Sequence, residues 1–141
     1  MPGLLLPKRQ KFRRQMRRQA KGLSYRGSQI SFGESALRAK GSGVLTSRQI
    51  EAARKAVSHF TKRGGKLWIR IFPDKPITRK PIGVRMGSGK GPVDHYAAVI
   101  SEGKILFELS GLAPDIMTTA LTRAARKLPI QTKVVFRENI L

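Results

Sequence analysis

The chain has 141 residues, 40% of them hydrophobic, enough for one folded domain with an appendage. Its 29 Lys and Arg against 8 acids give a formal charge of +21, and a compact body with that self-repulsion calls for a counter-charged partner, nucleic acid ahead of an anionic membrane surface. The lack of cysteine excludes disulfide frameworks and Cys-based zinc sites, and the apolar run Leu4–Leu6 is far short of the ~7–15 residues of a signal-peptide core or the ~20 of a spanning helix.

Residues 1–28 read as a basic extension ahead of a domain at 29–141. Nine cations (Lys8, Arg9, Lys11, Arg13, Arg14, Arg17, Arg18, Lys21 and Arg26) fall in this extension, and no acid precedes Glu34. Lys11 to Lys21 is compatible with a helix, though one cationic on almost every side, with Phe12 and Met16 as its only large apolar pair. Charges this dense repel in water and cease to repel with phosphates between them, so the extension is expected to order on RNA. A solvated tail and an organelle transit peptide share the same composition. Phe12 and Tyr25, aromatic residues without a local core, are candidates for stacking on bases.

Gln29–Phe32 reads as a short strand, followed by a Gly/Ser-rich connection through Gly41-Ser42-Gly43. Thr46-Ser47-Arg48-Gln49 is a capping box, and Ile50, Ala53, Val57 and Phe60 recur at helical spacing behind it. The helix is expected over 47–63, stopped by Gly64-Gly65, with Arg48, Lys55 and Lys62 on its outer face. Lys66–Phe72 alternates Leu67, Ile69 and Ile71 with Trp68, Arg70 and Phe72, the period of a strand. Trp68 and Phe72 with Arg70 are a candidate base-stacking platform, although a tryptophan at a strand centre is more often a core residue.

Residues 73–92 hold five Lys/Arg, one acid, four prolines, four glycines and three aliphatic residues. Such a segment offsets little of the ~1–2 kcal/mol of backbone entropy lost per ordered residue. It is expected to be a long basic loop that follows a phosphate surface, with Lys75, Arg79, Lys80, Arg85, Met86 and Lys90 as its contacts. Met86–Gly91 fails as a nucleotide phosphate loop, because Val84 and Gly91 stand where that pattern needs glycine and a hydroxyl. His95–Ser101 and Lys104–Leu109 flank Glu102-Gly103 as a hairpin. A second helix is expected from Pro114 to about Lys127 with Ile116, Ala120, Leu121 and Ala124 inward, and Ile130–Phe136 as a last strand. The sum is an α+β fold, two helices packed on one face of a mainly antiparallel sheet. His59 and His95 are the only histidines, and no catalytic pair or metal cluster is indicated by spacing.

Several segments carry a family resemblance when taken in order: Pro7-Lys8-Arg9, Lys11-Phe12-Arg13, Ser31-Phe32-Gly33, Leu45-Thr46, Arg48–Arg54, Trp68–Thr78, Val84–Gly87, Gly89-Lys90-Gly91 and Lys127–Ile130. Over nearly its whole length the chain resembles the bacterial and organellar L-sixteen/L-ten-e family of large-subunit ribosomal proteins. The resemblance implies a non-catalytic structural protein with no cofactor, no membrane and no small-molecule substrate. Its partners would be large-subunit (23S-type) rRNA near the peptidyl-transferase region, A-site and P-site tRNA, and neighbouring subunit proteins. It would join late in assembly, in the ribosomes of bacterial cytoplasm or of an organelle matrix or stroma. Arg85 and Met86 would sit on the loop that projects toward tRNA, a reach of up to ~30 Å for twenty residues folded back at ~3.3 Å each. Arg79, where many relatives carry Glu, and His95-Tyr96, in place of an aromatic pair, depart from the family pattern.

Overall fold

A computed structural model describes residues 5–18 and 20–137; the first four residues of the extension and the last four of the expected domain lie outside them. The elements run β1 (Ser35–Ala39), β2 (Gly43–Thr46), α1 (Ser47–Phe60), β3 (Lys66–Ile69), β4 (Lys75–Thr78), β5 (Val93–Ile100), β6 (Ile105–Ser110), α2 (Pro114–Ala125) and β7 (Thr132–Phe136). The strands form two sheets rather than one, β3-β6-β1-β7 and β2-β5-β4, and every ladder is antiparallel. The helices lie against each other, α2 also touching β1 and β7 and α1 touching β2 and β5. An α+β fold is therefore what the chain adopts.

The start of α1 follows from local chemistry. The Gln49 amide donates to the Thr46 hydroxyl (3.2 Å), and the Thr46 amide donates to the Gln49 side-chain oxygen (2.9 Å). Ile50, Ala53 and Val57 are buried, with Phe60 packed at the margin of the core. The helix stops three residues before the expected end, at a Thr61 cap whose hydroxyl donates to the Val57 carbonyl (2.9 Å). Lys62 and Arg63, rather than Gly64, take up left-handed backbone after it, followed by Gly65 (φ 69°). Gly65 is required for space as well: a Cβ there would lie 2.5 Å from the Ser110 carbonyl oxygen.

The core lies between the helices and the sheets. Phe107, Leu37 and Leu121 are fully buried in it, each contributing about 1.5–3 kcal/mol. In α2 the inward residues are Met117, Ala120, Leu121 and Ala124, whereas Ile116 faces solvent, one position off the expected phase.

The expected β5–β6 hairpin is not a paired hairpin. The turn exists, with Gly103 at φ 93°, but β5 pairs with β2 and β4 while β6 pairs with β1 and β3. Ala39 and Lys104 bond across this corner (2.9 Å), and β1–β2 changes sheet at the same level as β5–β6. Both connections bend together from one sheet into the other.

Gln29–Phe32 is not a strand; it bends around a buried carboxylate. Glu108, fully buried on β6, accepts from the amides of Ser31 (3.0 Å), Phe32 (2.7 Å) and Gly33 (2.8 Å) and pairs with Arg70 (2.5 Å). Burial by itself pushes this carboxyl up, but the three amides and Arg70 together outweigh it and hold Glu108 below the ordinary glutamate value. Gly33 lets the chain come this close, since a Cβ would sit 2.9 Å from the Leu109 carbonyl oxygen. Trp68 is opposite Glu108 in the ladder and so shares its face, outside the core that Leu67 and Ile69 join. The expectation of a core tryptophan is therefore corrected: the strand's inward residues are the alternate ones.

Candidate nucleic-acid interface

The N-terminal arm lies across the β4–β5 hairpin without forming a helix; Lys11 to Arg18 has no regular structure. Mutual repulsion among its cations removes any local reason for a helix, and the contacts that hold it come from elsewhere. Arg14 donates to the Lys90 carbonyl (3.1 Å), Arg17 to that of Thr78 (3.0 Å), and Lys90 returns a bond to the Gln15 carbonyl. Lys8, Arg9, Arg13 and Arg14 line an open groove of about 660 Å³ with Pro92, Val93 and Tyr96. Arg17 and Arg18 line another with Lys75, Ile77 and His95. Arm and hairpin cations, more than fifty positions apart in sequence, thus form one basin.

Within residues 73–92 only the later part is a loop. Lys75 belongs to β4, paired opposite Ala97, and its ammonium faces the arm. The Arg79 amide donates to the Pro92 carbonyl (3.1 Å) and closes the neck. Beyond it every residue from Pro81 to Lys90 is exposed, Met86 by 94%. Lys80 crosses the loop to the Gly87 carbonyl, and Gly83, Gly87, Ser88 and Gly89 have left-handed backbone. Arg85 and Met86 occupy the far end, Lys90 the returning limb. β5 follows this loop, not the helix that a nucleotide phosphate loop requires.

Arg48, at the start of α1, belongs with the hairpin. Asp94 at the hairpin base is held below the ordinary aspartate value, chiefly by its 2.8 Å bond to His95, with Arg79 and Arg48 adding attraction. Lys55 and Lys62 instead line a groove of about 850 Å³ between the helices, with His59, Phe60, Arg123, Arg126 and Lys127. Arg123 lies over the Phe60 ring, 4.4 Å from its centroid, which fixes the guanidinium at the groove wall. Sequence reasoning missed Arg123, Arg126 and Lys127. Their spacing of three and four marks one helix face, and that signal was present.

Lys21, Tyr25 and Arg26 sit elsewhere, beside the β5–β6 turn. Leu23 bridges to Glu102, the Ser24 amide donates to Glu102 (2.8 Å), and the Ile105 amide donates to Gly27 (2.8 Å). Tyr25 is 92% exposed and Phe12 61%, so neither is used by the core.

Charge pairing separates structural cations from free ones. The ion pairs among the described residues are Arg54–Glu51 and Arg70–Glu108, while Asp94 is hydrogen-bonded to the His95 ring. The cations of the arm, the loop and the interhelical groove have no carboxylate partner among those residues. Carbonyls orient some of them without neutralising any. Such a surface, spread over several faces of a small α+β body, fits the class of polyanion-binding proteins rather than that of proteins with a single ligand cleft.

Comparison with known proteins gives this class its family. The family model described as ribosomal protein L16p/L10e matches residues 7–135. Proteins named large ribosomal subunit protein uL16, from the FTNF002-00/FTA, OSU18 and LVS strains of Francisella tularensis subsp. holarctica, are each 52% identical over 135 residues. Those alignments cover 96% of this chain and 98% of each relative. The chain belongs to the L16p/L10e family of ribosomal proteins.

Proposed function

We propose that this protein is a structural constituent of the large ribosomal subunit that binds its rRNA through the arm–hairpin basin and the interhelical groove. The observation that carries the reading is the set of arm, loop and groove cations that have no carboxylate partner among the described residues. Placed between RNA helices, these cations screen phosphate repulsion and release counterions, so that separate helices approach and hold a fixed relation. Neighbouring subunit proteins and a ribosomal location, cytoplasmic in a bacterium, complete the assignment.

The finer part concerns the loop. Half of the residues 79–92, at ~3.3 Å each, allow a reach of up to ~23 Å beyond the neck. This is shorter than the reach computed for 73–92, because β4 takes up the first residues. Arg85 and Met86 at its tip are the groups that would meet the acceptor ends of A-site and P-site tRNA near the peptidyl-transferase region. The exposure of the tip supports this role, as does the family resemblance of the loop. In ribosomes carrying Arg85→Ala, the protein should still be incorporated but tRNA accommodation or peptide transfer should slow. Unchanged rates in fully occupied ribosomes would remove the loop from function.

A further inference from the structure

The outer face of the four-stranded sheet carries an aromatic stack that neither the arm, the loop nor the helical groove uses. Phe32 and Trp68 stack with centroids 6.0 Å apart and planes 20° apart, and Phe32 remains 57% exposed. Two cations flank them: the Lys66 ammonium is 5.2 Å from the Trp68 ring centroid, and the Arg70 guanidinium 5.3 Å from that of Phe32. Glu108 organises the whole group, accepting from the Phe32 amide and from Arg70 at once. Ring and guanidinium are therefore held in place before any ligand arrives, which lowers the ordering cost of binding.

We propose that Phe32 and Trp68 form a stacking platform for an unpaired RNA base, with Lys66 beside it for the nucleotide's phosphate. The inference rests on the RNA-binding reading above and adds a contact of a different physical kind. Charge decides the occupant. An apolar protein segment would meet a cationic rim with nothing to offer it, whereas a nucleotide presents a π face and an anion together. The one carboxylate bonded into the group, Glu108, is buried and already paired with Arg70, so it does not repel that anion.

Trp68 is the only tryptophan in the chain, so its emission reads the platform directly. Titrating the full chain with a single-stranded fragment of large-subunit rRNA should quench that emission. Phe32→Ala should weaken binding about 5- to 150-fold and leave the salt dependence unaltered, since stacking releases no counterions. Phe32→Tyr, which keeps the ring, should retain wild-type affinity and quenching. Salt-sensitive binding with unchanged Trp68 emission, and with Phe32→Ala at wild-type affinity, would overturn the platform while leaving the RNA reading standing. Absence of any RNA binding would overturn both. Within assembled subunits, ultraviolet cross-linking should join the Trp68 peptide to a nucleotide; a cross-link to another protein instead would also overturn the platform.

Discussion

Glu108→Gln is the substitution whose consequences the structure defines most sharply. The wild-type carboxylate accepts three amide bonds and pairs with Arg70 from a fully buried position. Glutamine retains one acceptor oxygen but turns an NH2 group toward donors and leaves the guanidinium without a counter-charge. Hydrogen bonds to a charged group are worth about 1.5–3 kcal/mol each, and removing one partner of a buried pair costs about 3–5 kcal/mol. The bonds share one carboxylate and do not add, so the expected loss is about 3–5 kcal/mol, a fall in Tm of about 6–20 °C for a chain of this size. The pH dependence has a definite sign. Because the folded-state pKa of Glu108 is lowered, its contribution is complete above the ordinary glutamate value of about 4.3 and is lost as pH falls below that value and through the lowered one. Urea unfolding of both proteins should therefore show a gap that is full at about pH 7 and closes in the acid range as the wild type is protonated. A neutral-pH gap under about 1 kcal/mol, or one that stays constant down to about pH 3, would refute the reasoning.

Other consequences follow from single elements. Thr46→Ala removes the hydroxyl of the capping box and should cost about 0.5–2 kcal/mol in denaturant unfolding, with RNA affinity unchanged. Removing residues 1–21 should leave the cooperative unfolding transition in place and weaken rRNA binding. Extending the deletion through residue 28 should add a loss of stability, because the bonds from Ser24 and Gly27 to the β5–β6 turn and from Arg38 to Ser28 go with it. Equal stability of the two truncations would show that those bonds contribute nothing.

Where structure is decided by neighbours in sequence, the chain was legible. The start of α1 is written in Thr46 and Gln49, and the alternation from Lys66 marks β3, although the strand ends at Ile69 rather than at Phe72. Pairing between distant segments was not. The two apolar runs around Glu102-Gly103 look like a hairpin by any local criterion, yet they separate because each finds a better partner in β1 or β2. Strand β1 was read as connection, since Ser35-Ala36-Leu37 is buried on both faces and shows no alternation. Gln29–Phe32 has the alternation of a strand, but its amides are taken by Glu108, a residue more than seventy positions away. The same carboxylate explains Trp68, whose side of the sheet is set by the ladder to β6. In α2 a shift of one residue exchanges Ile116 for Met117. Basic residues were legible by type; their grouping into an arm–hairpin basin and an interhelical groove required the fold.

The proposed role requires the unpaired cations to neutralise rRNA phosphates, and the salt dependence of affinity for a large-subunit rRNA fragment measures this most directly. Between about 50 and about 200 mM salt the affinity should fall by about 10³–10⁵-fold if six to ten phosphates are neutralised. Arg126→Ala with Lys127→Ala should reduce the slope of log K against log salt by about 0.9 per lost contact to duplex. An affinity that stays level across that range, or a slope untouched by the paired substitution, would contradict the account.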